Sequence, residues 1–390
     1  MKKIIITILC LLLCLASFAA CSDSAGLLPT FEKGKIYDQA VSLFEQGELQ
    51  EAYDLFLTIE DYHDVKEYLE RIPVEMESRR IYRDALQLLE QGKLQEARDI
   101  FLTIKDYADV SEYLDRFVYR YETYRKTDIE GTNIQYTYDQ YGRILKTEEY
   151  NRSNYKNYPL TWVYEYNEQG SVSRAIRKLE DGTDLIYLYE YDKKGNITKV
   201  TNPTGTTMEF LYDIQGNAIE KIFKDAQGKT QYHATYQYTE YGDVLSVQAL
   251  DGVLGEEKEY SVTYEYEYDK HGRKTKLSVS SMTEEWEYDE QGHVTQYHKE
   301  YANGEFQTYK YKYDSYGNVS EQFRESNTPG MSVPHTAWYE REYDAYGNIL
   351  SETMDSDGGW VEYSAHYSGY QLYYNPYGVC EIPDWVIGTP

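Results

Sequence analysis

Nine times between Tyr136 and Gly347 the chain repeats one cassette: tyrosine, a turn-forming Asp, Asn or Thr, two variable residues, then glycine. The turns are Asp139–Gly142, Asn167–Gly170, Asp192–Gly195, Asp213–Gly216, Thr239–Gly242, Asp269–Gly272, Asp289–Gly292, Asp314–Gly317 and Asp344–Gly347. Such a cadence marks a repeat protein, in which each small unit is stabilised by its neighbours. The first turn residue can bond its side-chain oxygen to the backbone two residues on, and glycine accepts the positive φ that completes the reversal.

Upstream of the turns, aromatic residues stand two apart, as in Tyr136/Tyr138, Tyr189/Tyr191 and Tyr311/Tyr313, so both rings share one face of a strand. Looser turn signals lie between cassettes, among them Asp181-Gly182, Pro203–Gly205, Asp225–Gly228 and Asn303-Gly304. Two reversals per unit predict a continuous antiparallel meander of hairpins, about 18 strands in all. Sheets that wide curl, split or close.

The run Tyr189–Ile197 (Tyr-Glu-Tyr-Asp-Lys-Lys-Gly-Asn-Ile), closely repeated at Tyr311–Val319, resembles the tyrosine-aspartate repeat of the RHS (rearrangement hot spot) family. The resemblance covers roughly two-thirds of the chain. It implies a spiral β-sheet, which in large members becomes a shell around a toxic C-terminal domain. This chain departs from them in having nine units and fewer than fifty residues after Gly347, too few for a separate enzyme domain. Gly369–Gly378 is expected to form a terminal strand pair.

At the other end, Lys2 and Lys3 precede an apolar run, Ile4–Leu15, and then small residues, the pattern of a secretory signal over residues 1–20. Phe18-Ala19-Ala20-Cys21 resembles the bacterial lipobox, which implies that Cys21 is diacylated and becomes the mature terminus. An ordinary signal cleaved near Ala19 or Ala20 would leave Cys21 a passive thiol. The expected address is the outer face of the bacterial cytoplasmic membrane, with residues 21–35 as a linker. Cys10 and Cys14 leave with the signal and Cys21 carries lipid, so Cys380 has no intramolecular disulfide partner.

Residues 37–70 and 82–115 align without a gap at a spacing of 45, with 22 of 34 positions identical. Tyr37, Ala40, Leu43, Phe44, Leu49, Ala52, Phe56 and Ile59 follow helical spacing around Gly47. The pattern resembles a tetratricopeptide helix pair, with an added segment that predicts a third helix per copy. The block Thr-Ile-x-Asp-Tyr-x-Asp-Val at 58–65 and 103–110 reads as a helix end and a new N-cap. The expected organisation is α+β multidomain: helical repeats over 36–118, a curled sheet of β-hairpin repeats over 119–380, and a tail, 381–390.

A net charge of −28 argues against nucleic acid as a partner, because phosphate binding needs clustered cations. Seven scattered histidines show no metal spacing, and no nucleophile elbow or phosphate-cradling loop occurs. No catalytic, cofactor or metal residue is assigned, and Cys21 is the one expected modification site. His293 and His298 read as exposed strand residues, and Asp355 and Asp357 lack the rest of a calcium loop. The 46 Tyr against 10 Phe suit half-exposed faces with the ring packed and the hydroxyl in water. They form either a stabilising ladder or a surface that binds a cell-surface glycan or protein. A non-catalytic binding or scaffolding protein is therefore expected, with a cell-wall glycan-active enzyme as the alternative and a reduced toxin-shell relative as a further one.

Overall fold

The computed structural model describes residues 30–127, 131–150, 159–251, 258–331, 333–357 and 363–377. The expected signal peptide, Cys21, Cys380 and the tail lie outside the described residues. The chain divides into two units, Met1–Val110 and Ser111–Pro390.

The first unit holds helices α1 (Thr30–Glu45), α2 (Leu49–Leu57), α3 (Val65–Glu90) and α4 (Leu94–Thr103), and a short α5 (Val110–Leu114) follows. The third helix expected of the first copy runs on into the first helix of the second, giving the 26-residue α3. Ala40, Ala52, Phe56, Ile59, Val65 and Ile72 form a fully buried cluster, which is why their helical spacing was legible. Equivalent turns repeat: Gly47 and Gly92 take φ of 83° and 72°, and His63 and Ala108 take 46° and 48°. Asp64 makes no side-chain capping bond. Its carboxylate instead accepts the Tyr37 hydroxyl at 2.7 Å, and Asp109 accepts Tyr82 in the same way at 2.7 Å.

The second unit is an antiparallel meander that closes on itself. Thr123–Thr127, near its start, pairs with Asn133–Tyr138 on one side and with Tyr363–Ser368, near its end, on the other. Taking Lys258–Thr263 and Glu265–Tyr268 as one strand interrupted at Tyr264, the ring has 20 strands among the described residues. The RHS resemblance implies a spiral; this sheet forms a closed ring, which leaves no free edge. The strand count exceeds the expected one because the two seam strands carry no cassette. One hairpin, across Ser280 and Ser281, turns without Gly or Pro.

All nine cassettes form the expected turn. In each, the glycine N–H donates to the carbonyl of the first turn residue, as from Gly317 to Asp314 at 3.1 Å. The pairing register then shifts at the preceding tyrosine, as at Lys312/Tyr313, so each turn carries a bulge that sharpens strand twist. The first-turn side chain does more than expected: Asp192 Oδ1 accepts N–H groups from both Lys194 and Asn196. The segment after Gly369 is a strand, but its partner is remote in sequence: Gln371–Tyr374 pairs with Phe117–Arg120.

Candidate binding face

Closure gives the sheet one concave and one convex face, with side chains alternating between them. The aromatic pairs share one face, as Tyr136/Tyr138 and Tyr309/Tyr311 show with near-parallel rings. That face is the less exposed: Tyr189 is 6% exposed, whereas its strand neighbour Leu188 is 43% exposed. Among the described residues the only second sheet in this unit is the strand pair Phe117–Arg120 and Gln371–Tyr374, whose Tyr373 reaches Tyr138 with centroids 5.8 Å apart, so most of the rings have no covering layer. Convergence on the concave side accounts for their burial, so the tyrosines line the lumen.

Many hydroxyls on this face donate to backbone carbonyls. Tyr166 donates to Ile144 O, Tyr191 to Val172 O, Tyr212 to Ile197 O and Tyr238 to Ala218 O, each at 2.7 Å. In every case the acceptor lies two residues past the preceding cassette's glycine. Where Tyr268 turns to Asp243 instead, Tyr266 takes the equivalent carbonyl of Val244 at 2.7 Å. Arg341 does the same at Val319. The expectation of solvated hydroxyls is corrected on this point: phenylalanine could not make the tie, and the preference for tyrosine follows.

Beyond the ties, the lumenal face presents rings and paired charges. Trp286 and Tyr297 have centroids 5.5 Å apart, and Tyr309 continues the row at 6.1 Å. The Lys274 ammonium stands 5.1 Å over Trp286 and 5.5 Å over Tyr266. Lys299 lies 3.2 Å from Glu284 and 5.1 Å over Tyr301. Farther round the ring, Arg341 Nε donates to Glu352 at 2.6 Å, and Lys126 stands 4.4 Å over Tyr363. Burial pushes the hydroxyls of Tyr164 and Tyr266 up to about 12, the latter helped by Asp243. Packed rings with interspersed cations can stack on flat or ring-shaped ligands while pairing with their polar groups.

The other candidates fall elsewhere. His293 binds Asp289 at 3.0 Å in its own turn and stacks on Tyr313, whereas His298 bonds Thr308 at 2.8 Å on the convex face. Asp357 accepts the Thr336 N–H at 2.7 Å, and Gly358 lies outside the described residues. Among the described residues no group of three or more His, Cys, Asp or Glu is placed to hold a metal. Turn carboxylates such as Asp192 are held below the usual range, first by the Asn196 side-chain amide.

Neither a family description nor a curated protein matches the chain. Among solved structures it resembles TcdB2-TccC3 without its hypervariable C-terminal region, at 14% identity over 60% of this chain and 14% of that one, with a TM-score of 0.31. It also resembles porin-like proteins from Bacteroides uniformis and Bacteroides vulgatus. Identities are 12% and 11%, over 64% and 66% of this chain and 96% and 98% of theirs, with TM-scores of 0.29 and 0.27. Superpositions this loose carry no weight for function, which has to come from the site itself.

Proposed function

We propose that this chain is a non-catalytic binding protein of the RHS repeat type, exported and lipid-anchored through Cys21 at the outer face of the bacterial cytoplasmic membrane. Its barrel takes a cell-surface glycan against the tyrosine face. The observation that carries the reading is the recurrence of aromatic rings on one face of a ring of 20 strands, on the strand that enters each cassette turn. Closed sheets of eight strands are filled by their own side chains, whereas rings of about 16 to 18 leave open channels, so this one has room for a guest.

The test is a titration of the detergent-solubilised full chain with wall glycan fragments, following tryptophan fluorescence and new reducing ends together. Saturable quenching without new reducing ends is expected. Sustained release of reducing ends would replace the binder with an enzyme. Cys21→Ser is expected to shift the protein from the membrane to the soluble fraction, and unchanged fractionation would remove the anchor.

A further inference from the structure

The two faces of the barrel differ in charge. Strand register places Lys126, Arg177, Lys221, Lys299, Arg324 and Arg341 on the tyrosine face: Arg177 faces Trp162, Lys221 faces Phe210, and Arg324 faces Tyr309. The carboxylates that the same register places on that face are fewer: Glu149, Asp251, Glu284 and Glu352. The convex face shows the reverse balance, with Glu165, Glu190, Glu265, Glu267, Glu285 and Glu287 alternating against the rings. A chain of net charge −28 therefore turns a cation-rich surface inward.

Elementary electrostatics would place charge where water can solvate it, so cations gathered on the half-buried face need a reason. Three of them have an internal one. Lys299 and Arg341 are paired with Glu284 and Glu352, and Lys126 is stacked on Tyr363. Arg177 is different: its Nε is closed to solvent and has no hydrogen-bond partner among the described residues. Arg177 stands opposite Trp162 on one ladder and Leu185 on the other, and the half-buried residue offers its terminal nitrogens, rather than the shielded Nε, to an anion.

We infer that the guest of the lumen is an anionic glycan, bearing carboxylate or phosphate, whose sugar rings stack on the tyrosines while its charges meet Arg177, Lys221 and the neighbouring cations. The inference rests on the glycan-binding reading proposed above. Rings favour a sugar over an acidic polypeptide, because stacking area recurs along the whole lining. The acidic convex face repels the same polymer, which confines binding to the lumen. Asp residues of the cassette turns do not oppose entry strongly, since their carboxylates are engaged by their own backbone N–H groups.

Of the five tryptophans, Trp162 and Trp286 lie on the lumenal face, Trp338 on the convex one, and Trp360 and Trp385 outside the described residues, so the quenching that Trp162→Phe and Trp286→Phe abolish reports the site. The full chain would be titrated with polygalacturonate as the carboxylate source, polyglycerol phosphate as the phosphate source, and neutral N-acetylglucosamine oligomers. At low salt one or both polyanions should bind at least about tenfold more tightly than the neutral oligomer, and salt should erase the difference. Arg177→Gln and Lys221→Gln should each weaken polyanion binding severalfold and leave neutral binding unchanged. Lys310→Gln, on the convex face, should change neither.

Equal, salt-independent binding of neutral and anionic glycans would overturn the anionic guest and leave the glycan reading standing. Equal competition by polyglutamate would overturn the sugar. Absence of quenching by every glycan would remove the parent reading and this one together.

Discussion

The helical unit and the barrel are both built by repetition, yet one copies side chains and the other copies a backbone device. Between the helical copies the contacts themselves recur: Tyr37 to Asp64 matches Tyr82 to Asp109, and Gln50 to Asp54 matches Gln95 to Asp99. The copies are joined by continuous helix α3 and by Arg79 donating to Gly47 O at 3.0 Å. In the barrel only tyrosine, the first turn residue and glycine persist, and the join is the strand ladder with a hydroxyl tie across it. A joint made of backbone tolerates drift in everything around it. That is why the barrel can vary its lining residues while the helices keep 22 of 34 positions.

The sharpest break between the units is expected at high pH. Tyr164 is almost fully buried, and its hydroxyl pKa rises from 10.0 to about 12, chiefly through burial. The unfolded chain loses this proton first, so the contribution is intact below pH 10 and is lost as pH climbs toward 12. For this group alone the loss is on the order of 2–3 kcal/mol. Tyr136, Tyr189 and Tyr367 are raised in the same direction by burial. The helical unit has fewer such groups: Tyr37, raised mainly by its bond to Asp64, and Tyr107, raised by burial. Hydrogen exchange from pH 9 to 12, read separately over residues 30–110 and 123–368, should show the barrel opening first. Simultaneous opening would mean that the two units fold as one.

Next in size are two glycines with the same backbone and different surroundings. Gly170 has φ of 84°, and a Cβ there would lie 2.5 Å from Tyr377 Cγ. Gly182 has φ of 85° with nothing within 4 Å. Gly170→Val should cost about 4 kcal/mol, from backbone strain plus overpacking, and Gly182→Val about 2 kcal/mol, from strain alone. Denaturant melts read on the barrel decide it. Equal losses would show that Tyr377 does not seat on the second cassette.

In the helical unit Phe56 is fully buried and stacks on Tyr68 with centroids 4.6 Å apart. Phe56→Ala should cost about 3 kcal/mol, near the lower end for a buried aromatic because the unit is small enough to relax around the gap. The loss should appear in the helical exchange and not in the barrel's. A matching loss of protection over residues 123–368 would again join the units.

Much of this was legible in the sequence because the signals were local. Asp314-Ser-Tyr-Gly317 carries its own turn chemistry, and the two-residue spacing of Tyr309, Tyr311 and Tyr313 places their rings on one face without any knowledge of neighbours. Closure was not legible: it depends on Thr123–Thr127 meeting Tyr363–Ser368, strands without a cassette and more than two hundred residues apart. Nor was the partition of charge, because Lys221 and Lys224 look alike until a register puts one with Phe210 and the other with Thr207. Ser280-Ser281 carries no local turn signal, being a tight turn with neither Gly nor Pro. The hydroxyl ties were hidden for the same reason as closure, since each acceptor belongs to another unit.

The smallest effect tests the tie itself. Tyr212 donates to Ile197 O at 2.7 Å, whereas Tyr241 is 53% exposed and contributes mainly its ring, 4.2 Å from that of Tyr268. Tyr212→Phe keeps the ring and removes only the hydroxyl, leaving a backbone carbonyl without its donor; the expected loss is about 1 kcal/mol. Tyr241→Phe should fall within about 0.5 kcal/mol of wild type, as surface changes usually do. The location of the change matters as much as its size. If hydroxyls couple cassettes, faster exchange in Tyr212→Phe should centre on Ile197–Thr201 and Thr207–Tyr212 and fade within a unit on either side. Protection identical to that of Tyr241→Phe would mean that the strand ladder alone joins the units, and the abundance of tyrosine would then have to be explained by what the lumen binds.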